Sequence, residues 1–505
     1  MVKYIVLLLC LVPSLLLSQL YDYQWVMGGG PNVPADLEGG VLLDFHTDPV
    51  LISYRPMGPG GRTLSFTNIC NAEGSLQLYS NNCSIINKQD EMIQSGNGLN
   101  YPGYVYQENC ANSLSGQGYQ TRSSFFLPLP GSSGKYVLFQ LRYDFTASFG
   151  HPYRVGSFLY SVVDATAANG QGAIIEKNTL LVKDTLCDML AAVRHGNGRD
   201  WWVVCPKFNS DQSFMCLLTP EGVQGPYLRQ TPLVWGGDWN IFWWEQAVFS
   251  PDGQRYARAN GRNDIQVFGF DRCSGEFSQP LELTIPMEAK YTTGLAISAN
   301  SRFIYYSTGR KVYQFDLESS NPQASRVLLA EYDLEADPLS TTFNAMQLAP
   351  DGKIYITNTN GIHRLTVINN PDAPGLACNL VQHGVELPSK IGLWVPNFPN
   401  FRLYDAQGSL CDTLVLVATY AVPKPVSILS VAPNPARDFV QLGYISEQAG
   451  QLQIFDAAGR LVWSQVAGVG SQVCQANISG WPAGFYQVML SAGRDIVRQR
   501  FVVLR

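Results

Sequence analysis

The sequence predicts an all-β protein: a β-propeller followed by a small β-sandwich. Three observations lead there. A turn motif recurs along most of the chain, the last segment alternates strictly between apolar and polar residues, and the composition suits short strands. The 505 residues include 46 Gly and 30 Pro, only 15% are charged and 12% are aromatic. Many tight turns and ample apolar mass fit that mixture, whereas a disordered chain would carry more charge and fewer rings.

The turn is clearest at Phe249-Ser-Pro-Asp-Gly-Gln-Arg-Tyr256, and it recurs at Ile297-Ser-Ala-Asn-Ser-Arg-Phe-Ile304 and Leu348-Ala-Pro-Asp-Gly-Lys-Ile-Tyr355. Weaker copies lie at 71–78, 130–137 and 195–202. Pro restricts φ, Asp or Asn starts the turn, and Gly supplies the positive φ that closes it. The closing position falls at Gly74, Gly134, Gly198, Gly253, Ser301 and Gly352. Spacings of roughly 50 to 65 residues are those of propeller blades. A single blade cannot bury both faces, so several must pack around an axis. Seven blades are favoured over six or eight, with the ring closed by pairing a strand near Tyr23–Val26 with one near Phe401–Tyr404. A string of β-sandwiches is the competing architecture.

The expected organisation is a secretory leader at 1–19, a propeller at 20–418, a linker at 419–425 and a tail domain at 426–505. In the leader, Lys3 precedes an apolar run from Ile5 to Leu17, and Ser18 offers a small residue before a cut at Gln19. Cys10 follows Leu9 where a lipidation signal calls for a small residue, so a lipoprotein is not expected. No later segment is long and apolar enough to form a transmembrane helix. In the tail, Val440, Leu442 and Tyr444 share a face, as do Tyr486, Val488 and Leu490. Leu452 and Ile454 form another strand, and Asp456-Ala-Ala-Gly459 turns the chain toward Leu461 and Trp463.

Three segments of the tail carry a family resemblance: Val431-Ala-Pro-Asn-Pro-Ala-Arg-Asp438, Gln453-Ile-Phe-Asp-Ala-Ala-Gly-Arg-Leu-Val462 and Ala483-Gly-Phe-Tyr-Gln-Val-Met-Leu490. With the terminal Arg500-Phe-Val-Val-Leu-Arg505, they resemble the C-terminal sorting domain, type A, of the Bacteroidetes type IX secretion system. The resemblance implies an Ig-like sandwich at 426–505, engagement of that secretion machinery and a secreted or outer-cell-surface destination. The body resembles the propeller-like ectodomains that accompany such tails, through Ala192–Trp202 and Met346–Tyr355. It implies no activity.

The net charge of −6 comes with no Lys/Arg cluster, which argues against nucleic acid as a partner. Apart from Cys10 there are ten cysteines, and an oxidising destination makes disulfides expected. Cys70 and Cys83, flanking a predicted hairpin, are the first pair to consider. No phosphate loop, dinucleotide fingerprint or nucleophile elbow occurs, and Gly131-Ser-Ser-Gly134 is too short for the last, so no cofactor is expected. The triplets Asp184-Thr-Leu186 and Asp412-Thr-Leu414 resemble the Bacteroidetes O-glycosylation sequence.

Four groups of residues could carry function. His195 and Asp200, with Arg199, surround a Gly-rich turn and are candidates for acid–base work, although polar turn residues more often bond local backbone. Within the aromatic cluster that also holds Phe242, Trp235 and Trp239 are candidates for stacking on a ligand, while Trp243 and Trp244 lead into a strand and read as core. Asp44, His46 and Asp48 could share a face, but a strand-end turn explains them as well, so no metal is expected. The function that follows is a binding module for a glycan, a polymer or a surface protein. The rival is a polysaccharide hydrolase or lyase with its site in the propeller channel.

Overall fold

The structure, a computed structural model, describes residues 19–28, 39–56, 66–103, 106–111, 123–145, 153–236, 245–260, 264–285, 294–336, 340–360, 363–409, 411, 428–446, 449–457, 459–492 and 495–505. Residues 1–18, the linker at 419–425, Trp239 and Asp412–Leu414 lie outside them. The chain divides into two compact units, Met1–Leu414 and Val415–Arg505.

The first unit is a propeller. β1 (Gln24–Met27), β2 (Gly39–Asp44) and β3 (Leu51–Pro56) form a three-stranded antiparallel sheet. The second blade is β4 (Thr67–Cys70), β5 (Leu76–Ser80), β6 (Ser84–Asn87) and β7 (Met92–Asn97). The third is β8 (Ser124–Pro128), β9 (Lys135–Phe145), β10 (Tyr153–Asp164) and β11 (Ala173–Leu186), joined to the second by one parallel bridge between Ala173 and Gln94. The fourth is β12 (Ala191–Arg194), β13 (Trp201–Pro206), β14 (Ser210–Thr219) and β15 (Gly222–Trp235). The fifth is β16 (Glu245–Phe249), β17 (Arg255–Asn260), β18 (Ile265–Phe270) and β19 (Phe277–Leu283). The sixth is β20 (Gly294–Ile297), β21 (Phe303–Ser307), β22 (Lys311–Asp316) and β23 (Val327–Glu331), and the seventh is β24 (Phe343–Leu348), β25 (Ile354–Asn358), β26 (Arg364–Ile368) and β27 (Leu380–Glu386).

Seven blades are therefore present among the described residues, as the repeat predicts. The first strands β4, β8, β12 and β20 are buried on both faces, because the blades on either side press against them. The last strands β15, β19, β23 and β27 alternate toward solvent. Gln246 shows how tightly the first strands meet. It donates to the Met346 carbonyl and accepts from the Leu295 N–H, both at 2.7 Å, and so links blade five to blades six and seven. Gly294 sits where any Cβ would collide with the Asn344 carbonyl of the next blade.

All six predicted turns lie between the first and second strands of blades two to seven. Each closing residue has φ between 62° and 87°. Five are Gly, and at the sixth Ser301 accepts the positive φ and receives the Asp252 N–H on its Oγ at 3.1 Å. The Asp and Asn side chains cap the turns as expected, with Asn71 Oδ1 accepting from Ser75 N–H at 2.8 Å and Asp252 Oδ1 from Gln254 N–H at 2.9 Å.

The ring closes differently from the expected pairing. β1 bonds to β2; at its other edge Asn68 of β4 accepts from Val26 N–H at 3.0 Å and donates to Gln24 O at 2.7 Å, and just past the strand the strap at residues 391–398 joins through Gly392 N–H, which donates to Gly28 O at 2.9 Å. The strap takes the innermost place of blade one, with β1, β2 and β3 outside it. It starts near the head of β24, where Asn344 Nδ2 donates to Leu393 O at 2.7 Å, and passes Leu190 and Pro251 through Asn397 and Asn400. Phe401–Tyr404 is not a strand. Phe401 packs on Tyr21 and Trp201 instead, and Arg402 forms a bidentate pair with Asp22 at 2.5 and 2.9 Å. Among the described residues, the strap thus holds blade one through side chains and one backbone bond. Prolines 396 and 399 prevent the strap from making a full ladder.

The Cys70–Cys83 pairing is also corrected. Cys70 ends β4 opposite Leu76, while Cys83 lies beyond Ser80, which pairs with Thr67 at the other end of the hairpin. A strand length separates them. Cys83 joins Cys110 and Cys273 joins Cys411, with Cα separations of 5.5 and 5.6 Å. Cys70 is a buried free thiol, its pKa pushed up by burial.

The second unit is a two-sheet sandwich. β28 (Ile428–Ala432), β29 (Phe439–Ser446) and β32 (Gly470–Asn477) form one sheet. β31 (Leu461–Ala467), β30 (Gly450–Phe455), β33 (Gly484–Ala492) and β34 (Asp495–Val503) form the other. Val440, Leu442, Tyr444, Leu452, Ile454, Tyr486, Val488 and Leu490 are all buried in its core, as their alternation predicts. Trp463 packs on that core while Leu461 is exposed.

If the closure is as described, Asp22→Asn should destabilise the propeller by about 2–3 kcal/mol, because it leaves the Arg402 charge without its partner. Urea unfolding should show Asp22→Leu with Arg402→Met costing less than either single change.

Candidate functional site

The strands define two ends of the propeller. The six short turns occupy one, which we term the turn end. The connections 28–38, 57–66, 98–123, 146–152, 236–244, 284–293 and 332–342 are bounded by strands that finish and start at the other, the loop end.

His195, Arg199 and Asp200 sit together in the turn between β12 and β13. The His195 Nδ1 accepts from Asn197 N–H at 3.0 Å, so Nε2 carries the proton and donates to Cys273 O at 3.0 Å. Asp200 accepts from Arg199 Nε at 2.7 Å and from Asn197 Nδ2 at 2.8 Å. The two candidate acid–base groups meet only through the backbone, where His195 N–H donates to Asp200 O at 2.8 Å. Both side chains serve to shape this turn.

The turn in turn seats the chain leaving the propeller. Ala406 N–H donates to Gly196 O at 2.7 Å, Arg194 Nη2 to Phe401 O at 3.2 Å, and Arg272 Nε to Arg194 O at 2.8 Å. Arg272 also reaches Tyr404 O, and Arg194 reaches Gln19 Oε1. Burial holds the Arg194 pKa down to about 10. The Cys273–Cys411 disulfide fastens the exit beside Gly196.

A cavity of about 260 Å³ lies on the axis between the strap and the first strands of blades four to seven. Small residues make the room: Ala191, Ala192, Ala247, Ala296, Ala299 and Ala349. Among the described residues that line it, the one carboxylate is Asp22 and the one cation Arg402, and these are paired with each other. Such a mostly apolar wall with its charges paired suits a neutral ligand.

Trp235 is not available for stacking. It ends β15 with 1% of its surface exposed, the Arg258 guanidinium lies 4.9 Å from its ring centroid, and its Nε1–H donates to Glu245 Oε1 at 3.3 Å. A Trp closing a strand beside the next blade is drawn into the blade interface by the area it can bury. Beneath it lies a carboxylate pair that sequence reasoning missed. Asp188 N–H donates to Glu245 Oε2 at 2.8 Å, Asn260 Nδ2 to Glu245 Oε1 at 3.4 Å, and Tyr143 O–H to Asp188 Oδ2. These residues come from blades three, four and five. Burial first, and the Asp188 charge second, push Glu245 up to about 7 against the hydrogen bonds it accepts. The available signal was a carboxylate opening the first strand of a blade, just before Ala247-Val-Phe249.

Asp44, His46 and Asp48 do not alternate on one strand, since β2 ends at Asp44. His46 Nδ1 meets Asp44 Oδ1 at 2.6 Å, and Gln24 Nε2 donates to Asp44 Oδ2 at 2.7 Å. Burial would raise the Asp44 pKa, but the bonds from His46 and Gln24 hold it below the usual value.

The molecule is a propeller protein carrying a sandwich tail as a second compact unit. Residues 430–504 match the family described as a secretion system C-terminal sorting domain, specifically the type IX tail. The chain is accordingly secreted or displayed on the outer cell surface. No helix among the described residues is long and apolar enough to cross a membrane. No curated protein matches the chain. Among solved structures, a putative 6-phosphogluconolactonase from Bacteroides uniformis is similar at 10% identity and TM-score 0.43, covering 74% of this chain and 98% of its own. The periplasmic gluconolactonase of Pseudomonas aeruginosa is similar at 14% identity and TM-score 0.41, covering 74% and 100%. The Dos1 propeller is similar at 14% identity and TM-score 0.36, covering 67% and 88%.

Glu245 sets a pH dependence. Its folded pKa of about 7 lies above the ordinary 4.5, so the folded state holds the proton more tightly. Its carboxyl therefore lowers stability progressively as pH rises from 4.5 through 7, with the full cost above that window. The stability of Glu245→Gln relative to the native chain should increase by up to about 3 kcal/mol between pH 4.5 and 8. Unfolding midpoints across that range measure it, and a constant difference would refute the assignment.

Proposed function

We propose that this protein is an exported binding module that holds a glycan, a polymer or another surface protein at the loop end of its propeller. The observation that carries this reading is the strap. Beyond Phe398 the chain runs along the turn end beside blades four and five, fastened by the Arg402–Asp22 pair, by Arg272 on Tyr404 O and by the Cys273–Cys411 bond. The opposite end, from which the long connections leave, is the one left for a partner. The connection from β15 to β16 contains Trp239, which we take as the contact residue in place of the buried Trp235.

The same reading assigns residues 1–19 to a leader removed on export, 20–418 to the binding propeller, 419–425 to a linker and 426–505 to the tail that the type IX machinery engages. The paired state of Asp22 and the backbone bonds of His195 favour binding over hydrolysis.

Two experiments test it. Ending the chain at Pro425 should leave the propeller folded but held in the periplasm, measured by fractionation and protease accessibility. Normal export of the truncated chain would contradict the assignment of the tail. The exported protein should bind saturably to a component of a glycan and matrix array, and Trp239→Ala should weaken that binding at least about tenfold, the loss expected for an aromatic anchor. Turnover of a polysaccharide by the purified protein would replace this reading with the enzymatic one.

A further inference from the structure

The connection between blades six and seven brings three potential metal-binding side chains together at the rim, away from the axis. Asp333 and Glu335 lie just after β23, and His383 lies in β27 of the neighbouring blade. The donor atoms of all three lie within 4.8 Å of one another. His383 Nε2 is 3.0 Å from Asp333 Oδ2 and 3.4 Å from Glu335 Oε2. Donors about 2.0–2.1 Å from a zinc ion at tetrahedral angles stand about 3.3 Å apart, so these separations are close to two edges of such a site.

The carboxylates are oriented by their unused oxygens. Asp333 Oδ1 accepts from Glu335 N–H at 3.0 Å, and Glu335 Oε1 accepts from Arg364 Nη1 at 2.6 Å. Each acid therefore keeps one oxygen for the imidazole side, an arrangement in which outer groups aim the ligands. The segment carrying the acids is itself held in place, since Tyr332 O–H and Thr341 Oγ1 both donate to Glu335 O, at 2.7 and 3.0 Å. Arg364 offsets one negative charge, leaving a net charge of −1 to meet a divalent ion.

From this arrangement we propose that Asp333, Glu335 and His383 bind a divalent transition-metal ion that ties the blade six connection to the outer strand of blade seven. One imidazole nitrogen with two carboxylate oxygens suits zinc. Calcium prefers six to eight oxygens, and the imidazole nitrogen offers it little. The ligands are partly exposed, with His383 the most enclosed, so water can complete the coordination. The ion's role here is structural, because it would join two elements that are otherwise linked by a few polar contacts.

The test is calorimetric titration of the full exported chain, stripped of metal, with ZnCl2 and in parallel with CaCl2. One saturable zinc site is expected, with calcium at least about tenfold weaker. His383→Ala should abolish the site, and Arg364→Met, which frees Glu335, should weaken it by about tenfold or more. Zinc should also raise the thermal midpoint of the native chain and leave that of His383→Ala unchanged. Near-UV circular dichroism checks that each variant is folded, and Asp333→Asn, with the same expected loss, replaces His383→Ala if the latter misfolds. Absence of saturable zinc binding, or equal stoichiometry in the folded variants, would overturn the proposal by showing that the cluster is an ion pair only.

Discussion

The propeller depends on closing its ring. Each blade has two apolar faces, and a blade at a free end would leave one of them in water. The two ends of the propeller chain must therefore meet. They do so around Trp25, which packs against Phe398 of the strap and Tyr355 of blade seven, while Arg402 holds Asp22 below them. Burial of rings supplies the attraction, which is non-directional, and the charged pair and the Gly392–Gly28 bond supply the register. Remove that contact and blades one and seven each expose a face that the other five cannot cover.

Closure also makes the two ends of the axis unequal. After filling the centre of blade one, the strap continues across the turn end, where Arg194 and Arg272 bind its carbonyl groups and Cys411 joins Cys273. His195 and Asp200 are consumed in building the platform it rests on. A single topological device, the chain's return to its beginning, thus fixes stability at the axis.

Much of this architecture was legible along the chain. The six turns carry Gly or Ser at the positions where φ is positive, and that local requirement appears in the sequence because few other residues tolerate it. The tail's alternation was equally plain, since a sandwich strand buries every second residue. The candidate sites were less legible. Trp235 looked like a loop residue because Gly-Gly-Asp follows it, yet its ring turns back into the interface between blades four and five. Glu245 and Asp188 meet because neighbouring blades bring the starts of their first strands together, and no spacing along the chain records that approach. The same holds for His383 and the acids some 50 positions before it.

By itself, then, the sequence determined the class of strand-and-turn units, their repeat, and the separate tail with its address, because each rests on short-range rules of φ, alternation and motif. The tertiary structure decided the rest: that Phe398 of the strap rather than the segment Phe401–Tyr404 meets Trp25 where the ring closes, that Cys83 pairs with Cys110, and that His195 faces backbone. Those outcomes depend on which distant surfaces must exclude water together, a demand that exists only once the blades are packed about one axis.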